Sequence, residues 1–231
     1  PQAITNWSLN LDPTGGVGCL PYQFAHSARF QDRGTSLYVS YWDAGTVHLD
    51  ITTPTSPVVV STTRIVPPDE DGDNHSMTLA KGGRWLVINP EDFSPGDCPG
   101  QSELGGWGEA YVYDNRDPQH PVFLGSFSTP NSRSTRSDGS FTDHNTEVTR
   151  GNQFFSSWYS DGIRVVDASN PRSPREVAFF VPPAAQNPVK PSQRGVLSNT
   201  PQVWGVGYDH NTGLVYASDM NSGLWILRRT G

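Results

Sequence analysis

The sequence lacks the features that mark a membrane span, a general nucleic-acid binder or a familiar catalytic loop. No apolar run approaches the about 20 residues needed to cross a bilayer as a helix, so a membrane span is not expected. Lysine and arginine are never densely clustered and the net charge is −7, which excludes the counterion-release chemistry of a phosphate-backbone binder; nucleic acid is not an expected partner. Cys-x-x-Cys is absent, and with it a zinc ribbon or thioredoxin-type site. So are a G-x-S-x-G elbow, a P-loop and a strand followed by G-x-G-x-x-G. The chain opens at Pro1 without a methionine or leader, as a mature, processed or excerpted chain would, and carries no targeting information.

What is present is turn chemistry. Among 231 residues there are 23 glycines and 20 prolines, 11% of the chain is aromatic, and no long helix-favouring segment interrupts them. That profile predicts an all-β fold of many short strands, in a size that one domain can hold. Cys19 and Cys98 are the only cysteines. In an acidic, proline-rich chain they suit an extracellular disulfide, and two buried thiols would give the same sequence.

The organising signal is a spacing. Asp50-x3-Pro54-x2-Pro57, Asp114-x3-Pro118-x2-Pro121 and Asp167-x3-Pro171-x2-Pro174 share identical offsets. Each follows a strand of one grammar ("GTVHLD", "EAYVYD", "GIRVVD"), and "GLWILR" is a fourth copy with Arg228 in place of the aspartate. Upstream of each lies a β-rich run, closed by a polar-Gly turn in three copies and by the insertion 89–108 in the second; upstream again are "AHSARF", "NHSMTL", "HNTEVT" and "VWGVGY". The unit is a meander of four strands, A to D, whose aspartate accepts backbone N–H groups at the C–D turn while the prolines hold an extended connection. Such units at about 40–50 residues are the signature of β-propeller blades. The expected architecture is one propeller, or a part of one, with blades at about 23–66, 74–128, 144–182 and 202–231. The fourth stops after strand C, and residues 1–12 read as a strand D. Either they close a four-blade ring, or they belong to a preceding blade of a larger propeller; the sequence leans to the second.

The pentapeptides "TVHLD", "AYVYD" and "IRVVD", each with its proline turn, resemble the bacterial LVIVD-repeat family. The resemblance covers nearly the whole chain. It implies a propeller fold and an extracellular or cell-envelope location, with more repeats than the four seen here, and it brings no catalytic residue set.

In a propeller, strand A lines the central channel. His26, His75 and His144 open strand A in three copies, with Gln202 and Trp204 near that place in the fourth. Imidazoles converging on an axis suit a transition metal such as copper, zinc, iron or nickel, and Glu147 is a candidate carboxylate ligand although its strand position projects it differently. Structural capping of the channel is the competing explanation for all of them. Asp69, Asp71 and Asp73 alternate around Gly72 as in the first half of a calcium loop, without the glutamate or helices of an EF-hand; Asp73 and Asp143 are alternatively placed to orient His75 and His144. Glu91 and Asp92 occupy the B–C turn of the second copy, and Trp42, Trp107 and Trp158 are candidates for a sugar platform. Arg133 and Arg136, in a Ser/Arg-rich insertion, are candidates for an anionic partner. The expected function is a binding or scaffold module that meets a protein, polymer or metal through one face. The alternative is a metal-dependent oxidoreductase using the histidine cluster. Whether the chain is an enzyme is left open, as is any cofactor: transition metal or calcium.

Overall fold

The computed structural model describes residues 1–9, 23–65, 72–93, 107–134, 136, 138–149, 151–186 and 199–230. Fifteen strands among them form four antiparallel sheets in chain order. The first holds β1 (Ala25–Gln31), β2 (Ser36–Tyr41), β3 (Gly45–Asp50) and β4 (Val58–Thr63). The second holds β5 (Asn74–Ala80), β6 (Trp85–Pro90), β7 (Ala110–Asp114) and β8 (Val122–Phe127). The third holds β9 (Thr146–Val148), β10 (Gln153–Ser157), β11 (Ile163–Asp167) and β12 (Arg175–Phe180). The fourth has three strands, β13 (Val203–Tyr208), β14 (Leu214–Asp219) and β15 (Gly223–Arg228). These are the four blades of a β-propeller, each a meander in which sequence neighbours pair.

The repeated turn works as its spacing requires. Thr52, Arg116 and Ser169 each donate a backbone N–H to Oδ1 of the aspartate two residues earlier, at 2.8, 3.1 and 2.9 Å. Three residues then close the corner in the same way each time: Ser56 N–H to Thr53 O, His120 N–H to Asp117 O, and Ser173 N–H to Asn170 O. Past the corner, strand D carries a bulge against strand C at the same step in all three blades, with Val60, Leu124 and Val177 as the extra residues. A local hydrogen-bonded corner followed by a bulge swings strand D outward, and that is why the offsets are invariant.

Alternation along each strand sends side chains to opposite faces, so each of the first three blades feeds two cores and the fourth feeds one. On β6, Leu86 and Ile88 pack with Tyr38 of the first blade, whereas Val87 packs with Phe154 and Trp158 of the third. Phe155, Ile163 and Val165 meet Val203, Val215 and Ala217 between the third and fourth blades. The far face of the first blade, Val39, Tyr41, Val47 and Leu49, is covered by Trp7 and Leu9. Residues 1–9 therefore rest on the first blade; they form no strand with β15.

Inner strands are tied by one recurring bond. Ser27 Oγ donates to His75 O at 3.2 Å, Ser76 Oγ to His144 O at 2.6 Å, and Asn145 Nδ2 to Trp204 O at 3.3 Å. The residue after each channel position thus grips the backbone of the next blade's channel position. The sequence pairs His26-Ser27, His75-Ser76 and His144-Asn145 carry this arrangement.

Candidate metal centre

The channel positions are set by bulges. Strand A slips against strand B between Ala25 and Ser27, Asn74 and Ser76, and Val203 and Gly205, so His26, His75 and Trp204 are each the unpaired extra residue. In the third blade His144 N–H donates to Ser157 O, Ser157 N–H donates to Asn145 O, and β9 begins one residue later, which puts His144 at the same place. A bulge re-aims a side chain out of the strand's alternation, here toward the axis. The four rings follow one another around it, with centroids 4.1 Å apart for His26–His75, 3.9 Å for His75–His144 and 5.5 Å for His144–Trp204.

A second tier comes from just past strand B: Trp42 and Glu91 directly after β2 and β6, and Tyr159 two residues after β10. Trp42 lies 5.5 Å from the His26 ring, ring centre to ring centre. Glu91 replaces an aromatic with a carboxylate. Its N–H donates to Asp73 O at 2.9 Å, and its two oxygens reach the imidazoles, Oε1 at 3.3 Å from His144 Nε2 and Oε2 at 3.8 Å from His75 Nε2. The phenol of Tyr159 donates to Oε1. Tyr159 holds a left-handed φ of 41°, costly for an aromatic residue, and its backbone bridges to Val203 in both directions.

His75 is 4% and His144 3% exposed. His75 Nδ1 donates to His144 O at 3.1 Å, so its Nε2 carries the free lone pair. His144 Nε2 accepts from the Trp204 indole, so its lone pair also sits at Nε2, while Nδ1 lies 2.7 Å from the Asn145 amide. One ligand atom each from His75, Glu91 and His144 lies within 4.8 Å of the others, and this trio is the group among the described residues able to hold a metal ion. Burial, with help from neighbouring imidazoles, holds both rings neutral: His75 is lowered to about 3 and His144 to about 2. Burial also pushes the Glu91 carboxyl up to about 7, against the pull of the Tyr159 hydrogen bond. Two neutral nitrogens and a poorly solvated carboxylate form a donor set in need of positive charge.

The expected residues fare differently. His26 lies beside His75 on the solvent side, its ring tilted by 49°, and is exposed. Glu147 is not drawn into the cluster; its carboxylate pairs with Arg29 of the first blade at 3.2 Å. Asp73 positions Glu91 through its backbone. Asp143 accepts the His144 backbone N–H at 2.9 Å and hydrogen bonds from Ser156 and Asn89, and burial raises its carboxyl to about 7. Cys19, Cys98, Asp69 and Asp71 lie outside the described residues. The sugar platform does not form, because Trp158 is fully buried against Phe127. Arg133 and Arg136 pair with Glu109 and Asp138. No helix among the described residues is long and apolar enough to cross a membrane.

No protein-family model and no curated protein matches the chain. Among solved structures it is similar to the β-propeller domain of Myceliophteria thermophila Cps50 (Swd1), with TM-score 0.61 and 91% of this chain covered. It is also similar to a periplasmic gluconolactonase of Pseudomonas aeruginosa, PpgL (0.53, 83%), and to a putative 6-phosphogluconolactonase of Bacteroides uniformis (0.51, 89%). Identity is 11% in each case, so the likeness is one of fold alone. The chain spans about half of each, 55, 49 and 58% of their lengths.

Proposed function

We propose that this chain is an LVIVD-type propeller of the cell envelope or extracellular space that binds a divalent transition metal between its second and third blades. The metal-bearing face would then engage a protein, polymer or small ligand. The observation that carries the reading is the convergence of His75, Glu91 and His144 donors within 4.8 Å. Two imidazoles and one carboxylate are the donors that suit zinc or ferrous iron with positions left open for another ligand. His26, on the solvent side, is the nearest further imidazole. The Trp204 indole occupies the His144 lone pair and is 39% exposed at the edge of the last blade, so it can withdraw when a metal arrives.

Elemental analysis of untagged protein should find one transition metal per chain, and chelation should lower Tm. Protein that takes up no zinc, iron, copper, nickel or manganese on titration, with a Tm indifferent to chelator, would leave the cluster as structural packing. Trp204→Phe separates the two roles: metal affinity rises when the indole only competes for the lone pair, whereas a packing role predicts lower stability with no metal effect. A second reading, a metal-dependent oxidoreductase, is favoured by the Tyr159 phenol on Glu91, a proton donor held beside a metal ligand. Metal-dependent consumption of oxygen or peroxide, lost in Tyr159→Phe, would move the assignment to that reading.

A further inference from the structure

Glu91 stands between two aromatic walls. Around the axis the second tier runs Trp42, Glu91, Tyr159, so the carboxylate has a ring on either side of it. Trp42 lies 6.4 Å from the His75 ring at 82°, and Tyr159 lies 5.2 Å from the His144 ring at 83°. Each wall therefore stands nearly upright against one of the two ligand imidazoles. A phenylalanine then extends each wall. Phe24 stacks on Trp42 at 5.1 Å and 17°, tied there by the bond from Trp42 N–H to Phe24 O at 3.0 Å. Phe93 meets Tyr159 at 5.2 Å and 68°.

Neither phenylalanine is required by the repeat or by the core. Counting from the channel residue, the place of Phe24 is taken by Asp73, Thr142 and Gln202 in the other copies. Phe93 belongs to the B–C insertion of the second copy. Phe24 is 45% and Phe93 46% exposed, whereas rings that serve packing, such as Trp158 and Tyr111, are 0% and 1% exposed. These two rings keep aromatic surface in solvent beside the donor set.

We propose that the site takes a flat aromatic molecule with adjacent oxygen donors, a catechol, its oxygens on the metal and its ring between the two walls. This inference rests on the metal reading above and names the ligand class of that site. Two imidazoles and one carboxylate leave coordination positions open on a divalent ion, and oxygen donors can fill them. The walls favour a ring laid against them by offset stacking or edge contact. A cationic guest, which aromatic cages otherwise suit, is repelled by the charge of the metal. On binding, the phenolic protons leave to solvent as the oxygens reach the metal, and neither metal nor ring changes oxidation state.

The probe is 4-nitrocatechol, whose visible absorbance shifts when its phenols lose their protons to a metal. Calorimetric titration with zinc alone first fixes the metal affinity of the full chain. Zinc-loaded protein should then shift the 4-nitrocatechol spectrum with one equivalent per chain, and zinc-free protein should not. Phe24→Leu with Phe93→Leu, both at exposed positions, should weaken 4-nitrocatechol binding by about tenfold and leave the zinc affinity as it was. Glycolate, an oxygen donor without a ring, should bind the double variant and the unaltered protein alike. A zinc-loaded chain that leaves the spectrum unchanged, a double variant that binds 4-nitrocatechol as tightly as the unaltered protein, or an equal loss for glycolate would each overturn the proposal while the metal reading stands. A chain that takes up no zinc would overturn it at its foundation, and the titration with zinc alone reports that failure separately.

Discussion

The rim and the hub of this propeller repeat the same unit with equal regularity, and only one of them gathers chemistry. At the rim, three aspartates each accept one backbone N–H at the same offset, and each of these bonds lies within a single corner. At the hub, four equivalent inner-strand positions aim His26, His75, His144 and Trp204 at one another across blade boundaries, so each copy depends on the next. The tier after strand B then breaks the pattern, with Glu91 where the first and third blades carry Trp42 and Tyr159. Repetition alone reports architecture; repetition that converges and then departs at one position reports a site.

The sharpest way to test that contrast is to remove a hub ligand. His144→Gln should weaken zinc or iron binding by about a hundredfold or more, measured by calorimetric titration, because it removes a donor outright. Tyr159→Phe should follow, with a loss of about tenfold, since it strips Glu91 of the phenol that orients it. Rim substitutions should leave both values untouched.

An acid titration of metal-free protein sharpens the comparison further. The buried imidazole of His75 is lowered to about 3, so below about 6.5 the unfolded chain binds a proton that the folded chain refuses, and stability falls as pH drops through that window. Glu91 has the opposite sign. With its folded value near 7 and its unfolded value near 4.5, the folded state takes up the proton first, and stability rises as pH drops from 7 toward 4.5. Glu91→Gln should therefore make Tm fall more steeply between pH 6.5 and 5 than in the unaltered protein, read by thermal melts across that range; a parallel or shallower fall would count against the opposed signs.

The smallest effect is expected at the rim. Asp167→Ala removes two short bonds to Ser169 in an exposed corner, and Tm should move by no more than about 2 °C, with metal uptake unchanged.

How far these regions were legible in the sequence follows from the range of their interactions. The rim turn is local: its bonds span two and three residues, so spacing and geometry are the same information. The three histidines were legible because a repeat maps positions onto one another without any knowledge of distance. The carboxylate was not. Glu147 stands near His144 in the chain, but three residues along extended backbone put the two side chains on different faces, and Arg29 of a neighbouring blade takes the charge. Glu91 was visible as an acidic turn residue, and aligning the B–C turns across copies would have set it beside Trp42 and Tyr159. The role of Tyr159 depends on a left-handed backbone and a long-range bridge to Val203, neither of which periodicity encodes.

The shared channel position at the start of each inner strand makes the hub a set of interchangeable sockets. Because backbone and a neighbouring Ser or Asn secure the socket, its side chain is free to vary without disturbing the ring, as Trp204 beside three histidines already illustrates. A family built this way can acquire, lose or retune an ion by single substitutions, and Trp204→His would be the shortest route from three imidazoles to four.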